Sequence, residues 1–401
     1  MSAMVSSLPP PYQEDFGETP PPRYGDANSI ITSKSEEEQC NMETSEEIQV
    51  NLIDNNSSAP YTVGDLILAD LIVLPKEDLH VDEIVVAFSL VISCVCHRGT
   101  VISRRHNKRA IVIHRIREED LPEDRIFRSE FKYTFPLSIS VPERLPNKDA
   151  HCMHCSQSHS LLPPSLGARY DYPPHLYHPA DMPGAIARVT YGLRAALFKG
   201  NQKVRDHFQQ LNFQPRYPST DLVSPPPVPN MASKTFKKGL LFKKSSTGEL
   251  TVTNVGRLLF NRAERTNNPT LLALSMGFTS TTNVSPPPAV QRVTCLFQAV
   301  TRVHPYGAAW ANVDVVSKQA FELKDTKWRP TPNSPTIKNQ FEYQTGVHVP
   351  IFSPCDEKTV VPSFSTCSLT REYRIEVKVH TDQDSITLHV PVTVIDDPYN
   401  S

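Results

Sequence analysis

Between Tyr373 and Val394 the chain alternates apolar and polar side chains in two runs with a turn between them. Tyr373, Ile375, Val377 and Val379 are interleaved with Arg374, Glu376 and Lys378. Ile386, Leu388, Val390, Val392 and Val394 are interleaved with Thr387, His389 and Thr393, and Asp382-Gln383-Asp384-Ser385 separates the two runs. Successive side chains on a strand point to opposite faces, so this period of two specifies a hairpin with one dry and one wet face. Proline points the same way. The 37 prolines stand against only 14 glycines in 401 residues, and they are spread along the chain. Proline interrupts helices and is tolerated at strand ends, edges and turns.

Other stretches carry the same texture. Leu66–Leu74 places Ile67, Ala69, Leu71 and Val73 on one face, and Pro75 ends it. Ile84–Cys96 is rich in Val and Ile, as a buried strand is. Phe131–Val141 reads as a strand with a proline suited to an edge or a bulge. Ala187–Leu197 has Val189, Tyr191 and Leu193 in phase, although Leu193–Phe198 also contains helix formers, so strand and helix both stay open there. Arg109–Arg117 alternates weakly, while Leu250–Phe260, Leu271–Thr281, Val290–His304 and Trp310–Lys318 are each bounded by Pro, Asn or Gly. Many short strands at regular spacing specify an all-β chain of two β-sandwich domains. The expected limits are a sandwich over 48–200, a linker over 201–234 around Pro225-Pro226-Pro227, and a second sandwich over 235–397.

Residues 1–47 have no hydrophobic periodicity and read as a disordered tail. They hold ten acids against two bases, a net of −8, whereas the whole chain is at −2. Within them lie two Pro-Pro-x-Tyr strings, Pro9-Pro10-Pro11-Tyr12 and Pro21-Pro22-Arg23-Tyr24. Consecutive prolines hold a PPII helix that docks into the aromatic groove of WW-type domains with little ordering cost. The candidate WW-binding residues are therefore Pro9, Pro10, Tyr12, Pro21, Pro22 and Tyr24. Two copies on one arm make the second engagement intramolecular.

The body resembles the fungal alpha-arrestins, the arrestin-related trafficking adaptors. The residues that carry the resemblance are Tyr61-Thr62-Val63-Gly64-Asp65, similar to that family's "Y-x-x-G-D", and Phe131–Leu137 with Val141-Pro142-Glu143, similar to "Y-x-F-P-F … V-P-E". Leu162-Pro163-Pro164-Ser165 looks like its "L-P-P-S", and Pro362-Ser363-Phe364-Ser365-Thr366 with Arg371-Glu372-Tyr373 looks like "P-S-F-x-T … R-x-Y-x-L". The resemblance spans roughly 49–397. It implies tandem arrestin-like sandwiches of immunoglobulin type acting as a cytosolic adaptor. Such an adaptor brings a WW-domain HECT ubiquitin ligase to a membrane transporter or receptor, whose ubiquitination leads to endocytosis and sorting. The adaptor is then cytoplasmic and recruited peripherally to the plasma membrane or endosomes. The relatives commonly carry their Pro-Pro-x-Tyr motifs after the fold; here they precede it. Reach is unaffected, since a disordered arm of ~35 residues spans on the order of 30 Å. The alternative is an arrestin-fold scaffold or sorting-complex component that binds WW proteins or membranes without promoting ubiquitination.

Basic runs at Arg104, Arg105, Lys108 and Arg109, and at Lys237, Lys238, Lys243 and Lys244, suit an anionic membrane surface or acidic cargo tails. They equally suit solvated strand edges that resist aggregation. Cys152, His154, Cys155 and His159 have half of a zinc-site spacing, but no second Cys-x-x-Cys or His-x₃-His completes it, and no metal is expected. No cofactor, nucleic acid or enzymatic chemistry is expected either. No pair of glycines has the spacing of a dinucleotide fingerprint or a P-loop, and neither Gly-x-Ser-x-Gly nor His-Glu-x-x-His occurs. The amino terminus lacks a signal-peptide pattern, and the eight cysteines fit a reducing compartment.

Overall fold

The computed structural model describes residues 47–53, 60–98, 101–145, 160–167, 187–216, 230–238, 245–254, 256–262, 268–280, 286–303, 310–323, 326–331, 341–354, 360–366 and 368–396. Within the strands, only the backbone is described at 94–98, 101–107, 238, 245 and 310. These residues belong to one compact unit, Glu43–Ser401.

The fold is all-β, as the alternation requires. The amino-terminal half forms β1 (Ile48–Leu52), β2 (Leu66–Val73), β3 (Leu79–His80), β4 (Glu83–Arg98), β5 (Val101–Arg115), β6 (Ile126–Phe127), β7 (Tyr133–Ser140), β8 (Ala187–Lys199) and β9 (Gln202–Leu211). One sheet has the order β1-β2-β7, the facing sheet β5-β4-β8-β9, and β3 pairs with β6. Ile67, Leu71, Phe135, Leu137 and Ile139 point inward from the first sheet to meet Ile84, Phe88, Leu90, Tyr191 and Leu193 from the second. Pro136 lies on β7, an edge strand, where its missing N–H breaks no ladder. Ala187–Leu197 resolves as strand: packing between β4 and β9 overrides its helix formers.

The carboxy-terminal half forms β10 (Asn230–Lys238), β11 (Ser245–Asn254), β12 (Leu258–Asn261), β13 (Thr270–Ser280), β14 (Val290–Val303), β15 (Trp310–Glu322), β16 (Arg329–Pro330), β17 (Phe341–Ile351), β18 (Phe364–Ser365), β19 (Leu369–Thr381) and β20 (Ser385–Ile395). Its sheets are β10-β11-β13-β17-β16 and β12-β20-β19-β14-β15, with β18 paired to β19. The hairpin read from the sequence is β19–β20, paired from Tyr373 opposite Val392 to His380 opposite Ser385. The stretch 201–234 differs from the linker expected of it. It carries β9 and the start of β10, and only 217–229 falls outside the described residues.

The two halves repeat one plan. In each, a long central strand (β4, β14) lies between an edge strand (β5, β15) and a second long strand (β8, β19). Phe88 on β4 stacks on Tyr191 at 5.6 Å, and Phe297 on β14 stacks on Tyr373 at 5.5 Å. Immediately after each phenylalanine the pairing to the edge strand slips by one residue. Such a bulge lets two residues of one strand oppose one of the other and increases local twist.

Candidate functional site

The described residues that carry the family-like motifs build two matched joints rather than a pocket. In the first sandwich the Tyr191 hydroxyl donates to the Pro163 carbonyl at 2.7 Å, and the Ser165 hydroxyl accepts from the Phe213 amide at 3.1 Å. In the second the Tyr373 hydroxyl donates to the Val361 carbonyl at 2.8 Å, and the Ser363 hydroxyl accepts from the Val394 amide at 3.0 Å. Each Pro-Ser segment therefore crosses the end of its sandwich and is tied down by a buried tyrosine and its own serine. A loop carried over an apolar core must have its polar groups paired in this way. Asp65 belongs to the same system: its carboxylate accepts from the Thr62 amide at 2.7 Å, and Gly64, at φ +83°, takes the turn that a side chain would strain.

The second joint holds a charge. Arg371 is fully buried, and it occupies the place on β19 that Val189 fills on β8. Its guanidinium donates to the Thr301 hydroxyl, stands 3.6 Å from the Asp314 carboxylate and lies 5.4 Å from the centre of the Tyr373 ring. A buried guanidinium persists only when it is paired and hydrogen-bonded in this manner. Just beside it Val303, Val361 and Leu369 leave their own sandwich and join the amino-terminal core, with Phe364 packed against them. The two sandwiches therefore share apolar packing at this end.

Glu47 marks the root of the amino-terminal segment. Its backbone carbonyl accepts from the Leu74 amide at 2.8 Å. One carboxylate oxygen accepts from the Lys76 amide at 3.0 Å and the other from the Arg205 guanidinium. Burial alone would raise its pKa, but these two donors hold the carboxyl below the usual value.

The Pro-Pro-x-Tyr residues Pro9, Pro10, Tyr12, Pro21, Pro22 and Tyr24 lie outside the described residues, as do Cys152, His154, Cys155, His159, Lys243 and Lys244. Arg104 and Arg105 fall on β5, and Lys238 ends β10, where the backbone alone is described. Lys108 is exposed and pairs with Val91, whereas Arg109 pairs with buried Leu90. Paired residues share a face, so these two neighbours face opposite ways. Lys237 is exposed beside a register shift on β10. Lys234 instead latches the sheets, with its ammonium 2.6 Å from the Asp384 carboxylate and donating to the Ser385 carbonyl at 3.0 Å. Among the described residues no three His, Cys, Asp or Glu side chains gather as a metal site requires.

Sequence reasoning missed the tyrosine–serine joints as a repeat. The signal was present as Leu162-Pro163-Pro164-Ser165 against Val360-Val361-Pro362-Ser363. The two segments are separated by almost two hundred residues and share only Pro-Ser, too little to stand out before the bonds are seen.

Residues 312–396 match the protein-family model described as "Bul1 C terminus". The match runs from β15 through β20 and so includes Arg371, Tyr373 and the hairpin. No curated protein matches the chain. The all-β arrangement and this match are consistent with the alpha-arrestin resemblance carried by the motifs.

Proposed function

We propose that this chain is an arrestin-like adaptor that recruits a WW-domain HECT ubiquitin ligase to a membrane transporter or receptor, promoting its endocytosis and sorting. The observation that carries the reading is the match of residues 312–396 to the Bul1 C terminus family in a chain that also holds two Pro-Pro-x-Tyr strings. In this reading Tyr12 and Tyr24 contact the ligase, and the sandwich body faces cargo from the cytoplasmic side of the plasma membrane or an endosome. Tethering raises the effective concentration of ligase at the cargo without any new contact between them. Glu47, immediately before β1, is held by Arg205 of β9 and by the Lys76 amide. The basic strand edge around Lys108 supports contact with acidic cargo tails or anionic lipid.

The test compares the chain with its Tyr12→Ala, Tyr24→Ala double variant by affinity capture and by cargo turnover. The variant is expected to lose the ligase and to leave cargo at the membrane. Capture lost with turnover unchanged favours a scaffold that does not promote ubiquitination. Capture unchanged removes the motifs from the mechanism.

A further inference from the structure

The two sandwiches treat equivalent edges in opposite ways. The bulges after Phe88 and Phe297 align β5 with β15, so that Lys108 and Arg109 correspond to Val313 and Asp314. On β5 the outward position is a lysine, and flanking bases line the strand. Charge of this kind keeps an edge from pairing with another chain. On β15 the outward positions are Ala311, Val313 and Val315, and the two valines are 42% and 58% exposed. Beyond β14, no described strand pairs with β15. Its lower half is occupied, because the Gln319 side chain donates to the Phe352 carbonyl at 2.8 Å and accepts from the Phe352 amide at 3.1 Å. Among the described residues the open stretch is therefore Ala311–Val315.

The amphipathicity of this stretch is inverted. Its apolar residues face solvent, and its polar residues, Asn312 and Asp314, turn toward the joint around Arg371. Asn312 donates to Asp314 Oδ1 at 2.8 Å, and Asp314 Oδ2 is buried facing the Arg371 guanidinium at 3.6 Å. We propose that Ala311–Val315 pairs antiparallel with the same stretch of a second copy of this chain, about a two-fold axis through Val313. In that register Val313 meets Val313 and Ala311 meets Val315, so both copies cover their exposed side chains. Each Asn312 then lies opposite the Asp314 of the other copy, an amide against a carboxylate rather than like against like. A shift of the register by one residue per strand would place Asp314 against Asp314, and like charges directly opposite oppose pairing. A patch complementary to itself is what a two-fold contact demands, which is why a second copy is the occupant. A contact this short lies at the small end of interface sizes, so the pairing is reversible. Paired copies would present four Pro-Pro-x-Tyr strings, if those strings act as proposed above, but the pairing itself does not depend on that.

Sedimentation velocity of the full chain across a rising concentration series tests the pairing. The mean mass is expected to climb from 45.0 kDa toward twice that value. The Val313→Lys, Val315→Lys double variant should lose the rise while keeping the parent circular dichroism, since both side chains are exposed. Under mild oxidation Val313→Cys should form a covalent dimer in excess of the parent chain, and Ala320→Cys should not. A parent chain that stays monomeric throughout overturns the proposal and leaves the edge to an extended segment of another protein. A rise that persists in the lysine variant, or equal cross-linking by the two cysteine variants, overturns it as well.

Discussion

At the scale of the residue, the second sandwich differs from the first at one central position, where Arg371 replaces Val189. The charge is held by Thr301, Asp314 and the Tyr373 ring. Truncation removes the cation and leaves a cavity and its partners behind. Arg371→Ala is therefore expected to cost about 3–5 kcal/mol in urea unfolding, and Arg371→Met considerably less, because an apolar side chain of similar volume refills the site. The two buried tyrosines make a cleaner pair. Tyr191→Phe and Tyr373→Phe each strand a buried carbonyl, so each should cost about 1–2 kcal/mol in urea unfolding. Arg371 and Tyr373 were legible in the sequence as part of a signature, but their role was not. Nothing in a linear pattern says that an arginine in an alternating strand points inward. His207 adds a pH dependence. Burial lowers its pKa below 6.5, only partly offset by Asp206, and its Nδ1 is buried without a partner. A folded-state pKa below the unfolded one favours the neutral ring. Stability is then full above about pH 6.5 and declines as pH falls from there toward the folded value. Urea midpoints at pH 7.5 and 5.5 should converge in His207→Gln relative to the parent.

At the scale of the element, the strands most legible in the sequence are those with one dry face and a central place in their sheet. The β19–β20 hairpin and β2 fall where the alternation put them, β4 where its Val and Ile richness did, and β13 between its bounding turn residues. Several strands escaped, among them β1, β9, β10 and β17, and for β9 the reason is physical. Arg205, His207 and Gln209 pair with Leu197, Ala195 and Leu193 and so share the inward face. These polar residues sit at the seam beside β1, where Arg205 meets Glu47, so the face that should have been apolar reads as polar. β5 was read as a weak run because a bulge resets its phase at Ile111. Two glycines show how tightly neighbouring strands approach. A Cβ at Gly192 would lie 2.4 Å from the Phe208 ring and 2.5 Å from the Gln209 carbonyl, and one at Gly248 would lie 2.3 Å from the Phe278 ring and 2.7 Å from the Thr279 carbonyl. An aromatic ring therefore covers a bare glycine on the adjacent strand in both sandwiches. Because the backbone carbonyl cannot move aside, Gly192→Ala and Gly248→Ala should each destabilise by about 1–3 kcal/mol, with melting temperature as the readout.

At the scale of the whole molecule, the tandem sandwiches were legible from strand spacing, but their mutual dependence was not, since contacts between distant segments leave no local pattern. Val303, Val361 and Leu369 come from the carboxy-terminal half, yet they are buried in the amino-terminal core. The segment that delivers Val361 and Leu369 is braced by Tyr373 and Ser363 on one side and by Thr366 on the other, whose hydroxyl accepts from the Leu369 amide at 3.0 Å. Loosening this joint should be felt by both halves. Leu369 is fully buried, so Leu369→Ala removes about 2–5 kcal/mol of packing. The loss falls on the core that Leu369 enters rather than on the strand that carries it. Hydrogen exchange is therefore expected to speed up in β4 and β8, in the other sandwich, as well as in β19. Faster exchange confined to β14 and β19 would mean that the sandwiches open independently.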